Sequence, residues 1–543
     1  MRGRTRAMAA AAFTTVALVA TACGGGGGGT TNPGSSEGGQ AGGEISIRGC
    51  TPQKALLPGS TSETCGGNLL DATEAKLVHY NTDTSAPEND IAQSIESPDN
   101  QNFTVKLKPG YKFSDGTEVK AKNFVDAWNY TAYCKNGQDN SYFFAPIAGY
   151  ADLQTEDCKT TPKAKTLSGL KVVDDHTFTI KTSEKVSNLP VRLGYTAFAP
   201  LPDSFAANVK AQGKMPVGAG PFMVTSNTAT EIILEKNPNY SGTNKPNVDK
   251  VTYRIYNDTS AAYNDVLGNQ LDFTDVIPAD RLVGDTYKTE LDGRNANKAT
   301  GGNTWITFSP SDPQLKNKPE LKKAISKAID RDLIIKQIFN NSVQKADGWV
   351  PPVIDGYKAN ACGDACVFDA AKAKEMFTAA GGYKGTLTMT YNADGGNKEW
   401  SEAVANSIKN TLGIQAIAVP VPDFATFLTK LDNDEIKGIF RNAWQMDYPS
   451  IENFLAPIYS KTADSNYARY DNPEFEAKLA EAAAAPDTDK ANTLYQEAES
   501  ILAADFPTAP LWNKSTQVGW STKVTNVKVT GFGTLDLTAI KLA

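Results

Sequence analysis

Histidine is almost missing: two residues in 543, His79 and His176. They lie far apart and in no ligand spacing, so a histidine-rich metal site is excluded and most metallohydrolases with it. Clustered Lys and Arg are missing too, and the net charge is −7. Phosphate recognition needs such clusters, so neither nucleic acid nor an anionic bilayer surface is an expected partner. Gly-x-Ser-x-Gly occurs once, at Gly34–Gly38, in a Gly/Ser-rich stretch with no strand or helix pattern to make an elbow of it, and there is no phosphate loop ending in Gly-Lys-Ser/Thr and no His-Glu-x-x-His. Gly218-Ala219-Gly220 is a glycine turn, but Pro221 follows and no dinucleotide pattern extends from it. The acids are scattered, and spacing singles out no catalytic pair. These absences point to binding rather than turnover, with no cofactor and no metal.

What is present describes an exported globular chain. Its length exceeds one ordinary domain, so at least two lobes are expected. Hydrophobic residues at 40% and charged residues at 21% are ordinary for a folded protein. Arg2, Arg4 and Arg6 precede an apolar stretch from Met8 to about Ala20, too short for a permanent span. That reads as a signal peptide over residues 1–22. It ends in Ala20-Thr21-Ala22-Cys23, small residues before a Cys, as in a bacterial lipobox, although the usual Leu is replaced by Ala20. Cys23 is therefore the expected lipidation site, against the plainer reading of a signal peptide with a chance Cys. Gly24 to Gly29 follow, then Gly, Ser, Thr and Asn to about Gly43. Such a segment buries nothing and serves as a flexible tether over 23–43.

Seven cysteines less Cys23 leave six, an even number in an exported chain. Proximity in sequence suggests Cys50–Cys65, Cys134–Cys158 and Cys362–Cys366, although fifteen pairings are formally open. Zinc on Cys362 and Cys366 lacks a second ligand pair nearby.

The mature chain reads as α/β. Phe103, Val105 and Leu107 alternate as in a strand before Pro109-Gly110. A helix is expected over Ala121–Tyr130, and another from Pro319 through Ile329. Asp369 and Asn472 stand as N-caps, and Gly413 as a helix stop before a strand from Ile414 to Val419. A strand from Ile436 to Arg441 would deliver the segment that follows it to a strand end, where α/β clefts lie.

Several segments, in order, resemble the extracellular solute-binding protein family 5, the oligopeptide- and dipeptide-binding proteins of ABC importers. They are Phe113-Ser114-Asp115-Gly116-Thr117 running into Ala121–Phe124, Val217–Phe222 with Asn237–Tyr240, Ala324–Arg331, Trp349–Pro352 and Ala371–Gly381. Asp447-Tyr448-Pro449 with Asn453–Leu455, Asn472–Phe475 and Pro507–Trp512 complete the series. No single segment is specific, but the ordered set is. Most read as fold-forming; Gly116 and Gly220 suit backbone geometries other residues dislike, and Pro507–Pro510 reads as a stiffened connection.

The resemblance implies a two-lobed periplasmic-binding-protein-like fold of the large peptide-binding type II class, with an extra subdomain in lobe I. Lobe I would cover 44–300 with the insertion at about 76–195, lobe II 301–512, and 513–543 would return to lobe I. It also implies ligand contacts. An Asp at the position of Asp447 pairs with a peptide α-amino group, since an ammonium enclosed between lobes needs a fixed anion. Arg441 would meet a peptide carboxylate with its two-pronged guanidinium. Trp444 would wall a side-chain pocket, Tyr448 would stand beside it, and Trp305 would line the cleft near the crossover. The implied partners are a short peptide and a membrane permease, with attachment to the outer face of the cell membrane through the N-terminal lipid and the chain as a monomer. Two other readings remain open: an oligosaccharide-binding member, with Trp305, Trp400 and Trp444 stacking on sugar rings, and a secreted hydrolase. A receptor sensing a peptide signal is indistinguishable from a nutrient binder at this level.

Overall fold

Phe103, Val105 and Leu107 do fall on the buried face of one strand, Asn102–Leu107. A computed structural model describes residues 42–543 apart from Ser62, Asn257, Asp423, Thr462 and Asp464. The expected signal peptide, Cys23 and the tether through Ala41 lie outside the described residues. No helix among the described residues is long and apolar enough to cross a membrane.

Ten strands form one path across the main sheet. In chain order they are β1 Glu44–Gly49, β2 Phe222–Asn227, β3 Glu231–Lys236, β4 Lys250–Ile255, β5 Phe273–Thr274, β6 Asn295–Phe308, β7 Thr386–Asn392, β8 Gln415–Val421, β9 Ile439–Gln445 and β10 Thr508–Trp520. Their order across the sheet is β8-β7-β9-β6-β10-β5-β1-β4-β3-β2. Strands β6 and β10 pair antiparallel and run from one hydrophobic core into another. Val518 belongs to a core with Ile45, Phe222 and Val251, whereas Trp305, Ile306, Leu511 and Trp512 belong to one with Ile325, Val404 and Leu502. Where the strands change core, the register slips. Ala299 faces Ser515 and Asn303 faces Asn513, so Thr300-Gly301-Gly302 bulges opposite Lys514.

A third core lies under a separate four-stranded sheet of Ala92–Glu96, Asn102–Leu107, Thr177–Lys181 and Leu170–Asp174. The helix Ala121–Ala132 packs Phe124 and Trp128 against Phe178 and Phe198, and the Trp128 indole donates to the Phe198 carbonyl at 3.1 Å. Gly116 turns the chain at φ +87°, open chiefly to glycine. Gly220 serves differently: its φ is ordinary, but a Cβ there would lie 2.5 Å from the backbone of Thr73.

Capping explains most helix boundaries. Asp369 accepts from Lys372 N at 2.9 Å, Asn472 from Glu474 N at 2.8 Å, and Gly413 ends Lys398–Leu412 at φ 72°. The expected helix from Pro319 to Ile329 stops at Lys327, because Asp330 caps a new one, Arg331–Ile338. Pro507–Pro510 is not a stiff connection. Its last three residues open β10, and the Pro510 carbonyl accepts from the buried Arg331 Nε at 2.8 Å.

Disulfides join Cys50 to Cys65 and Cys362 to Cys366. Cys134 and Cys158 are free thiols instead of the expected third bridge. Each is turned onto Thr155, Cys134 Sγ at 3.9 Å from its hydroxyl and Cys158 Sγ at 3.8 Å from its carbonyl.

Candidate functional site

Strand β9 starts three residues later and ends four residues later than its sequence pattern suggested, so Trp444 joins Arg441 on it and Asp447 lies just past its end. Parallel pairing with β7 sets the carboxyl ends of both strands at one edge of the sheet, the edge where α/β folds hold ligands. The Met446 amide donates to Gly301 O at 2.8 Å, which ties the Asp447 turn to the bulge on β6.

One amide orders this turn. Asn453, 1% exposed, accepts on Oδ1 from the Trp444 indole N–H at 3.1 Å and from the Asp447 backbone N–H at 2.9 Å. Its Nδ2 donates to Asp447 Oδ2 at 3.0 Å. Among the described residues no Lys or Arg pairs with Asp447. Burial pushes its carboxyl up to about 7; the Asn453 amide works against that, and the nearby Glu452 charge adds to it. The group is nevertheless partly open to solvent. A desolvated acceptor with no countercharge is an arrangement suited to a cation from outside. The phenols of Tyr80 and Tyr195 stand in its field, held above their ordinary range first by burial and then by nearby charge, that of Asp447 included.

Tyr448, expected beside the ligand, is instead 3% exposed and packs in the core with Phe124 and Trp128. Its hydroxyl donates to Glu452 Oε2 at 2.7 Å, and the Arg192 guanidinium lies over its ring at 5.3 Å. Arg192 Nη2 pairs with Glu452 Oε1 at 3.2 Å, and Asn188 Nδ2 donates to Glu452 Oε2 at 2.9 Å. This clasp joins two segments some 260 residues apart in sequence (|i−j| is 264 for Asn188 and Glu452). Trp305, expected to line the cleft, is core: it is 3% exposed and its indole donates to Thr307 Oγ1 at 3.2 Å. A β-strand shows alternate residues to opposite faces, and both faces of β6 are covered here. Trp444 is partly buried against that core, and Arg441 lies over the rings of Phe424 and Phe427 at 5.5 and 5.8 Å.

Beyond Asp447 the chain lines a cavity of about 510 Å³. Residues from segments 84–87, 187–191, 352–355, 449–450 and 488–495 line it, Asn188, Asp355 and Tyr495 among them. A second cavity, about 170 Å³, is lined by Asp71, Glu74, His79, Tyr80 and Phe532 among others. Sequence reasoning missed Asn453, Arg192, Glu452 and the two phenols. Only Asn453 carried a local signal, as the first residue of the Asn453–Leu455 motif.

Comparison with known proteins agrees with this architecture. Residues 86–466 match the family described as bacterial extracellular solute-binding proteins, family 5, middle. The chain is 25% identical over 483 residues to the oligopeptide-binding protein OppA of Bacillus subtilis, covering 86% of this chain and 87% of that one. It is 25% identical over 436 residues to the periplasmic murein peptide-binding protein MppA of Escherichia coli, covering 78% and 79%. Among solved structures, the unliganded open form of the MppA murein tripeptide binding protein superposes with a TM-score of 0.76 at 22% identity, over 93% of this chain and 98% of that one. Haemophilus influenzae OppA in complex with RPPGFSPFR gives 0.73 at 21% identity, over 93% and 100%. The type II peptide-binding α/β fold is therefore shared. The match spans well over half of the residues, and the chain belongs to family 5 of the bacterial extracellular solute-binding proteins.

Proposed function

We propose that this chain captures short peptides in a cleft between two hinged lobes and hands them to an ABC importer. The observation that carries the reading is Asp447: a carboxylate at a strand end, desolvated, oriented by Asn453 and without a cation among the described residues. The α-amino group of a peptide supplies that cation. The names of the matched relatives, oligopeptide-binding and murein peptide-binding, support the same ligand class.

The lobes are 44–300, with the insertion at about 76–195, and 301–512, with 513–543 returning to the first. β6 and β10 are the crossovers, and the diglycine bulge at Gly301-Gly302 is the hinge point. The Arg192–Glu452 clasp bridges the insertion and the second lobe. The protein acts as a monomeric binder, not a catalyst. Lipid on Cys23 holds it at the outer face of the cell membrane, and 24–43 lets it reach the permease.

Mass spectrometry of ligand released from purified protein tests the reading. Short peptides are expected, and recovery of oligosaccharide alone overturns it. Replacing Cys23 by Ser is expected to free the protein from membranes; unchanged retention overturns the anchor.

A further inference from the structure

The turn Val217–Phe222, which reads as fold-forming, wraps a carboxylate. Glu74 ends the helix Thr64–Thr73 and is 3% exposed. Gly218 passes so close that a Cβ there would lie 2.8 Å from Glu74 Oε1, and the Ala219 N–H donates to the same carboxyl. One oxygen thus faces the glycine turn. The other, Oε2, is buried and has no hydrogen-bond partner among the described residues. Glu74 lines the cavity of about 170 Å³, and so does His79, whose Nδ1 is likewise buried and unpartnered. His79 Nε2 is already paired with Glu88 Oε2 at 2.9 Å.

The charge around this cavity is unbalanced. Five carboxylates line it against two permanent cations, and both cations are taken. Lys76 Nζ pairs with Asp71 Oδ1 at 2.6 Å, and Arg48 Nε pairs with Asp275 Oδ1. Asp90 accepts from the Tyr111 hydroxyl at 2.7 Å, and Asp536 from the hydroxyls of Thr82 and Thr538. Glu74 is the one of the five with no side-chain partner among the described residues. Burial pushes its carboxyl up to about 8, against the pull of the Lys76 charge and the Ala219 N–H. The cavity adjoins the turn at Asp447. Its wall includes Gly531, whose carbonyl accepts from Gly301 N at 2.9 Å, and Gly301 in turn accepts from Met446 N at 2.8 Å. Tyr80, whose phenol lies in the field of Asp447, lines it too, with its ring 5.5 Å from that of Phe532.

We propose that this acid-lined pocket takes the basic side chain of the ligand's first residue, and that Glu74 sets a preference for peptides beginning with Lys or Arg. The pocket rests on the peptide reading above: an α-amino group on Asp447 puts the first side chain beside this wall. An ammonium or guanidinium there supplies the donor that Glu74 Oε2 lacks, as a charge-assisted hydrogen bond. The apolar stem of the side chain lies along the rings of Tyr80 and Phe532. The volume suffices, since cavities of this order admit benzene and a lysine side chain has fewer heavy atoms.

Titration calorimetry on the mature protein tests the pocket with Lys-Ala-Ala, norleucine-Ala-Ala and Ala-Ala-Lys. Norleucine keeps the apolar stem without the charge, and Ala-Ala-Lys keeps the net charge but moves it to the far end. Lys-Ala-Ala is expected to bind roughly ten- to a hundredfold tighter than either. Glu74→Gln, which keeps the shape and removes the charge, should bring Lys-Ala-Ala and norleucine-Ala-Ala to within about threefold of each other. Equal affinity of these two for the wild-type protein overturns the pocket while leaving peptide binding intact. An equal gain for Ala-Ala-Lys does the same, because the preference is then one of net charge. So does a preference that survives Glu74→Gln. Where that variant does not fold, the wild-type ranking of the three peptides decides. Binding of none of the three overturns the peptide reading, and the pocket with it.

Discussion

Asp447 and Glu452 are carboxylates five residues apart in one loop, and they have opposite surroundings. Glu452 is 5% exposed and fully engaged: Arg192, Asn188 and the Tyr448 hydroxyl all reach it. Asp447 remains partly open, with one side-chain amide and, among the described residues, no cation. A buried charge is tolerated when its partners are part of the fold, and Glu452 meets that condition. Asp447 does not, so its ionised form is costly until a partner arrives. The first carboxylate holds two segments together, and the second has no cationic partner among the described residues.

The contrast can be broken at either residue. Glu452→Gln leaves the Arg192 guanidinium buried without its anion and is expected to cost roughly 3 kcal/mol of stability, read as a lowered urea midpoint. An unchanged midpoint would mean that the clasp is not structural. Asp447→Ala should leave the midpoint nearly alone and weaken free peptides about a hundredfold, because a peptide ammonium then lies buried unpaired. N-acetylated peptides, which carry no ammonium, should lose far less; equal loss for both removes the ammonium role.

Proton linkage sharpens the same difference. The free Asp447 carboxyl sits near 7, above its ordinary value, so below neutral pH it is protonated and cannot pair with a cation. Bound ammonium favours the ionised form and draws the pKa down. Affinity for free peptides should therefore fall as pH drops through about 7, approaching tenfold per unit well below it. A flat affinity from pH 8 to 5 contradicts Asp447 as the acceptor. The smallest effect belongs to Tyr448→Phe, which removes one hydroxyl from Glu452 and should cost about 1 kcal/mol of stability. Loss of peptide affinity without loss of stability would return Tyr448 to the ligand.

Local signals carried well where local physics decides. The cap of Asp369, the stop at Gly413 and the alternation through Leu107 each depend on a few adjacent residues, and each stands in the structure. The helix from Pro319 was overextended because Ala328 and Ile329 keep the apolar spacing after the helix has ended; both are buried, but by the core and not by a helix face. Trp305 and Trp444 show the limit at the site. Both are aromatic residues on neighbouring strands, and composition treats them alike. One is walled in on both sides of the sheet, and the other reaches Asn453 beside Asp447.

The amino-acid order by itself marked out the segment around Asp447 and the alternation of strands with helices, and it suggested the two cysteine pairs that the structure forms, because those features are written within a dozen or so residues. Tertiary structure decided which charges are satisfied. Arg192 meets Glu452, and Lys514 faces Gln445 across Gly302, only because distant strands and loops are folded side by side. Whether a buried charge is already partnered or waits for a ligand depends on its neighbours in space, and no local pattern encodes them.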